Sequence, residues 1–274
     1  MTILVTGTTG NVGGEVLRCL HEQQDRERVL VASRHTTEGP DHRYFDFDNP
    51  STFPAALEGV DYLFLMRPPT QASVQKVYGP LVQEMRIAGV KGVVLLSVYG
   101  AGEQRLLPHH GIERIIKASG LAYYFLRPTY FMQNLTTTLY GQVKTGRLEL
   151  PAGQAVFNWV DVRDIGAAAA RLLLDFPNHP EDRVGITLAT YENLDYRRVA
   201  ERSQGTPLAF TYVPVSVPTF LLHRRRAGDD LGYAVAVAAI HYLQRFQAPV
   251  LVRTDWRRLI GRDPYTLAEF LQHA

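Results

Sequence analysis

Through the first two thirds of this 274-residue chain, short β-branched or aromatic runs alternate with segments of helical period, and few folds accept that alternation. Candidate strands fall at 3–6, 29–33, 44–47, 62–66, 93–97, 123–127 and 185–189; candidate helices lie between them at 11–23, 50–57, 73–88, 109–119 and 162–175. Several of the strands are apolar throughout, as strands covered on both faces must be. In the 73–88 segment Val74, Val77, Leu81, Val82 and Met85 recur at helical spacing and leave one polar face. Gly89 and Gly120 read as helix stops. The expected architecture is α/β, a doubly wound parallel sheet. Beyond about residue 185 the pattern loosens into helical segments at 194–202, 218–226, 231–245 and 265–272, with a strand-like 210–213 among Pro207, Pro214 and Pro218 and a short excursion at 147–151. The expected division is therefore 1–130 with about 155–190 for the larger unit, and about 131–154 with 191–274 for a smaller, mostly helical lobe. No period of about 20–50 residues repeats, so a solenoid is excluded.

Composition narrows the function classes. Lys and Arg number 29 against 27 Asp and Glu, a net charge of +2 that disfavours general nucleic-acid binding. The sole cysteine, Cys19, lies between Leu17 and Leu20 on an apolar face and reads as a buried, inert thiol in a reducing compartment. Apolar runs such as 93–96 and 234–240 fall far short of the ~20 residues a membrane span needs, so no membrane association is expected. The chain enters its first strand at once, without a basic leader or apolar signal core, and a cytoplasmic protein is expected. The basic run 223–226 ends a helical segment, where a solvated cluster that favours the helix dipole is the simpler reading than a phosphate contact.

The sequence Thr6-Gly7-Thr8-Thr9-Gly10-Asn11-Val12-Gly13 follows the first strand and opens the first helix. Gly7 permits the tight turn, Gly10 lets backbone approach an anion, and Gly13 lets the helix close on the strand. Thr9 sits inside the turn, and the amides of Asn11 and Val12 at the helix start would face a pyrophosphate with the helix dipole behind them. Strand, turn and helix in this order point to a Rossmann-type dinucleotide-binding unit. At the end of the second strand stand Ser33-Arg34-His35, a hydroxyl and a guanidinium where an acidic residue would bind a ribose 2′-hydroxyl. NADP(H) is the expected cofactor, with NAD(H) the lesser expectation; the alternative for Arg34 is a solvent-facing strand end. Asp46 and Phe47 offer a carboxylate to an adenine amino group and a ring to stack on it, or else simple turn chemistry leading into Asn49-Pro50.

The glycine turn, 46–50, 56–69, 89–97, 119–135, 157–165 and 261–270, in that order and spacing, together resemble the NmrA-like family of atypical short-chain dehydrogenases. That resemblance implies an NAD(P)H-binding Rossmann domain with a small substrate lobe, in a family divided between reductases, quinone reductases among them, and non-catalytic redox sensors. By position it implies that Met66, Arg67 and Pro68 flank the cofactor, although Pro68-Pro69 would serve equally as a strand stop. It also implies that the loop from Pro128 through Tyr130 to Phe131 lies near the nicotinamide. His109 falls where relatives carry a lysine or histidine at a helix entrance.

Typical short-chain dehydrogenases carry Tyr-x-x-x-Lys on the helix before the sixth strand, where the lysine lowers the tyrosine pKa for proton transfer. Here that helix reads Pro108-His109-His110-Gly111-Ile112-Glu113, without the pair. Tyr140 and Lys144 fit the spacing but follow the sixth strand, and the match reads as coincidence. His109, with Glu113 one turn on, is the catalytic candidate: a group that could bind the nicotinamide ribose or donate a proton near neutral pH, or else an exposed helix-start pair. Ser97, toward the cofactor, and Tyr99, toward a substrate, stand between the same two readings. Tyr99, Phe131, Asn134 and Trp159 are candidates to line a substrate pocket, unless they are core. No metal site is expected, since no Cys pair or zinc-binding helix spacing occurs, and no Gly-x-Ser-x-Gly elbow is present. The reading is an NADPH-dependent oxidoreductase acting on a quinone-like or enone small molecule, with a non-catalytic NADP(H) sensor that contacts a regulatory protein partner as the rival.

Overall fold

A computed structural model describes residues 1–23, 27–34, 39–68 and 73–273; His35 and Pro69 lie outside them. In chain order the elements begin β1 (Thr2–Thr6), α1 (Asn11–Glu22), β2 (Arg28–Ser33), β3 (His42–Tyr44), α2 (Phe53–Leu57), β4 (Tyr62–Met66), α3 (Val74–Ile87), β5 (Gly92–Leu96), α4 (Pro108–Ser119) and β6 (Ala122–Pro128). There follow β7 (Tyr130–Phe131), α5 (Tyr140–Val143), β8 (Arg147–Leu150), β9 (Val156–Val160), α6 (Val162–Asp175) and β10 (Arg183–Leu188). The chain closes with β11 (Asn193–Asp195), α7 (Tyr196–Ser203), β12 (Thr211–Pro214), α8 (Val217–Arg226), α9 (Leu231–Leu243), α10 (Trp256–Ile260) and α11 (Leu267–His273). No helix among the described residues is long and apolar enough to cross a membrane.

These elements gather into two units. The first comprises Met1–Pro128, Val162–Leu188 and Thr254–Asp263. Its sheet runs β10-β6-β5-β4-β1-β2-β3 with every neighbouring pair parallel, which is the doubly wound α/β architecture expected from the alternation. Strand order reverses between β1 and β4, and in such sheets the crevice beyond the carboxyl ends at the reversal is where ligands bind. Leu63, Phe64 and Leu65 of β4 and Val93, Val94 and Leu95 of β5 are fully buried, so these strands present apolar side chains to helices on both faces. Helix α1 buries Val12, Val16, Cys19 and Leu20 at helical spacing; burial pushes the Cys19 thiol pKa up, as an inert core cysteine requires. Helix α4 starts with Pro108 at its first position and stops at the left-handed Gly120.

The second unit comprises Thr129–Asp161, Ala189–Arg253 and Pro264–Ala274. It carries two small sheets, β11-β9-β7 and β12-β8, beside its helices. Two boundaries differ from the sequence expectation. Strand β9 pairs with β7 and β11 of the smaller unit, whereas the sequence reading assigned it to the larger one. The segment Thr254–Asp263 joins the larger unit because Thr254 donates its hydroxyl to the Thr187 carbonyl (2.6 Å) and Arg262 meets the fully buried Asp164 of α6 (2.6 Å). The helix expected from 194 starts at Tyr196 instead, since Asp195 stays extended and accepts the Arg198 amide as an N-cap. The third strand ends at Tyr44 rather than Phe47 because Asp46 turns the chain by accepting the Asp48 amide (3.0 Å). In the basic run, His223 meets Glu149 (2.6 Å) and Arg224 meets Asp229 (3.3 Å).

Aromatic packing dominates the smaller unit's core. Trp159, Tyr196 and Phe157 pack with Phe210, Phe220 and Leu271, and the Trp159 indole N–H donates to the Leu194 carbonyl (3.0 Å). Inside that core, Tyr130 and Tyr196 hydroxyls approach each other at 2.7 Å and the His241 Nε2 at 2.9 and 3.0 Å, while His241 Nδ1 lies 2.7 Å from the Val237 carbonyl. Burial pushes the His241 pKa down to about 4. The ring is therefore neutral when folded but takes a proton below about pH 6.5 when unfolded, so stability present above pH 6.5 is lost as pH falls toward 4. We expect the unfolding free energy from urea titrations to decline across that window by up to about 3 kcal/mol from this residue, and that of His241→Gln, although lower at pH 7, to decline less steeply.

Candidate functional site

At the end of β1 the Thr6 hydroxyl donates to the Phe64 carbonyl (3.0 Å) and accepts the Met66 amide (3.1 Å), which holds the ends of β1 and β4 level. The chain then turns through Gly7 at φ 69°, a left-handed conformation that also brings Met66 beneath it: a β-carbon on residue 7 would stand 1.9 Å from the Met66 Sδ. The Gly10 amide closes the turn on the Gly7 carbonyl (3.0 Å), and the Gly14 amide starts the helical ladder on Gly10 (2.9 Å). Gly13 lies against the turn so closely that a β-carbon there would be 2.2 Å from the Gly7 carbonyl oxygen. Within this first turn of α1 the amides of Asn11, Val12 and Gly13 have no acceptor inside the helix, and no acidic side chain stands there. Amide donors at the positive end of a helix dipole make a binding place for an anion.

A cleft of about 270 Å³ opens over this turn. It brings together Gly7, Thr9, Gly10, Arg34, Asp46, Phe47, Met66 and Pro68, eight residues singled out in the sequence. Arg34, exposed at the end of β2, stands on its rim with Ser33. Asp46 uses one carboxylate oxygen to hold the following turn, while Phe47 packs edge-on against Phe45 at 4.8 Å. Thr8, Ala32, Phe45 and Asp48 also line the cleft and escaped the sequence reading. Their signal was their place at strand ends next to the predicted positions, since a parallel sheet delivers all its carboxyl ends to one edge.

Around α4 the arrangement differs from the sequence expectation. Glu113 is not the partner of His109. It is fully buried, receives both Arg127 Nε (2.9 Å) and Nη2 (2.6 Å) in a forked pair, and accepts the Ser97 hydroxyl (2.7 Å). The Lys117 ammonium lies 3.9 Å from the same Oε2 that Arg127 Nη2 engages. Ser97 is thus committed to a clamp that joins α4 to the ends of β5 and β6. Tyr99 is partly exposed and donates its amide to the Pro128 carbonyl (3.0 Å), so β6 and the loop after β5 are tied together. His109 is half-buried, and burial, reinforced by the Arg67 cation, pushes its pKa down to about 4 against the opposing pull of Glu113. Glu113 does raise its basicity, as expected, but burial and Arg67 outweigh that pull, and an imidazole so placed is neutral at pH 7.

The remaining candidates belong to the smaller unit. Trp159 is fully buried core and Tyr130 commits its hydroxyl to Tyr196 and His241, whereas Phe131 and Asn134 are partly exposed. Tyr140 and Lys144 sit on and just after a single helical turn, with the ammonium over the ring at 5.9 Å. Among the described residues, no group of three or more His, Cys, Asp or Glu side chains is arranged to hold a metal ion.

A profile of the NmrA-like family matches residues 1–242. The chain belongs to the NmrA-like family. Among relatives, it is 32% identical to prestalk A differentiation protein A of Dictyostelium discoideum over 64% of this chain and 60% of that protein. It is 33% identical to the NAD(P)H azoreductase of Xenophilus azovorans over 68% of this chain and 67% of that protein. The fold matches Citrobacter sp. triphenylmethane reductase, solved as a complex with NADP(H), with a TM-score of 0.83 over 100% of both chains at 22% identity. Within this NmrA-like chain the Glu113–Arg127 clamp is the feature that sequence reasoning missed. Glu113→Ala, which strands a largely buried guanidinium, is expected to lower the unfolding free energy by about 3 kcal/mol, read as a drop in urea midpoint at unchanged slope.

Proposed function

We propose that this protein is an NADPH-dependent reductase that delivers hydride to a small electron-poor acceptor of the quinone or enone type. The observation that carries the reading is the pair of close approaches at Gly7 and Gly13 under a helix start with open amides, a cradle that a side chain at either glycine would fill. The donor set fits the group. Amides of Asn11 and Val12 suit the diphosphate, Ser33 and Arg34 suit a 2′-phosphate, and the ring of Phe47 suits the adenine. When bound, reduced nicotinamide supplies the hydride, and the chain supplies position and polarity.

His109, held neutral, serves as a hydrogen-bonding group toward the nicotinamide ribose or the acceptor oxygen and not as a standing cation. A quinone suits a site without the Tyr-Lys pair, because its reduced anion is stabilised by its own ring and takes its proton from water. The clamp of Ser97, Glu113 and Arg127 occupies the helix that bears the pair in typical short-chain dehydrogenases, and it fixes the loops at the ends of β5 and β6. Names among the relatives, an azoreductase and a dye reductase, support reduction of conjugated, electron-poor small molecules.

Purified protein with NADPH is expected to show acceptor-dependent loss of reduced-nicotinamide absorbance with at least one member of a quinone and enone panel. Tight NADPH binding without turnover across that panel overturns the reductase reading in favour of a cofactor sensor. Arg34→Ala is expected to raise the Kd for NADPH by about tenfold or more while changing that for NADH by less than about twofold, as measured by fluorescence titration. His109→Phe is expected to lower kcat while leaving the NADPH Kd within about threefold, equal to less than about 1 kcal/mol.

A further inference from the structure

We infer that the smaller unit carries a second ligand site, a groove between Arg197 and Arg245 that binds a small molecule bearing a carboxylate or phosphate group. The groove encloses about 550 Å³ and is lined wholly by residues of this unit. Its two arginines come from different elements, Arg197 from α7 and Arg245 from the turn that follows α9. Neither has an acidic partner within salt-bridge distance among the described residues, whereas Arg147, Arg202 and Arg224 of the same unit are paired with Glu149, Glu192 and Asp229.

The walls of the groove are pinned. Tyr212 donates its hydroxyl to the Gly153 carbonyl (3.0 Å), fixing a turn in which Gly153 has φ 57°. Arg245 lies across that glycine, its Nε 3.2 Å from where a β-carbon would be, and its guanidinium stacks 5.3 Å from the centre of the Tyr242 ring. The neighbouring Gln244 donates its side-chain amide to the Val156 carbonyl (2.9 Å), which anchors the segment that presents Arg245. Burial and the Asp195 carboxylate push the Tyr212 pKa up to about 12, while Arg245 and Arg197 both pull it down, so the two cations lie within electrostatic reach of one hydroxyl. Asp195 accepts the Arg198 amide as a helix cap. Gln154 and Gln247 add amide donors and acceptors at the rim.

Two guanidiniums that line one groove and both act on the Tyr212 hydroxyl carry like charge, and an oxyanion held there offsets it through forked hydrogen bonds. A carboxylate and a phosphate share this chemistry. A polyanionic macromolecule fits less well, because the chain as a whole carries only +2.

The test uses the full-length protein and site-resolved amide NMR, titrated with inorganic phosphate and, separately, with citrate. Saturable shifts are expected at Gly153, Gln154 and Gln247, and the probe that saturates at lower concentration identifies the favoured anion. R197Q/R245Q, which changes two exposed side chains and is expected to keep its thermal midpoint, should weaken that binding by about tenfold or more. R245K should retain part of it. Shifts confined to residues 7–13, shifts that never saturate, or equal affinity in the folded double variant would each overturn the site. Because the readout is local to the smaller unit, it stands or falls apart from the nucleotide reading.

Discussion

The contact between the backbone at Gly7 and the start of α1 at Gly13 is the constraint on which the larger unit's function depends. Only where a helix can come within van der Waals distance of the preceding turn do its first amides project over the carboxyl edge of the sheet. Thr6 supports this from beneath by joining β1 to β4 on both sides of its hydroxyl, at the point where strand order reverses. Cleft, helix dipole and switch point therefore coincide because of the eight residues from Thr6 to Gly13, and the rest of the sheet serves to hold them rigid.

Helix α4 has been put to a different use from the one its position suggests. A carboxylate buried in its second turn holds a forked arginine and a serine, and this cluster ties together the ends of two central strands. Such a network is strongly destabilising to break, since its carboxylate is buried and already accepts three hydrogen bonds. His109, one turn earlier, is left to burial and to the Arg67 cation, which together keep it uncharged.

Much of the architecture was legible in the sequence because its signals are local. The glycine spacing, the apolar runs of β4 and β5, and the helical periodicity of α3 each declare themselves within a dozen residues, and the cleft they build collected eight predicted residues. What escaped depends on distant partners. Strand β9 contains Asn158, whose amide and carbonyl join Thr190, Asn193 and Thr129, and nothing in the local pattern shows that those partners lie in the smaller unit. Trp159 reads in sequence as lining a substrate pocket or as core until the Leu194 carbonyl is found accepting its N–H. The pairing of Glu113 with Arg127 spans 14 residues and two elements, so helical spacing suggested His109 as its neighbour instead.

The triangle of Tyr130, Tyr196 and His241 has one property that follows from counting hydrogens. With His241 donating from Nδ1 to Val237, its Nε2 only accepts, and the two hydroxyls own two protons for three close approaches. Either tyrosine can serve the imidazole while the other serves its fellow phenol, and the two patterns interchange by rotating hydroxyls through a small arc. The centre of the aromatic core is consequently rigid in its heavy atoms and degenerate in its protons, an ordered scaffold that keeps a residue of entropy.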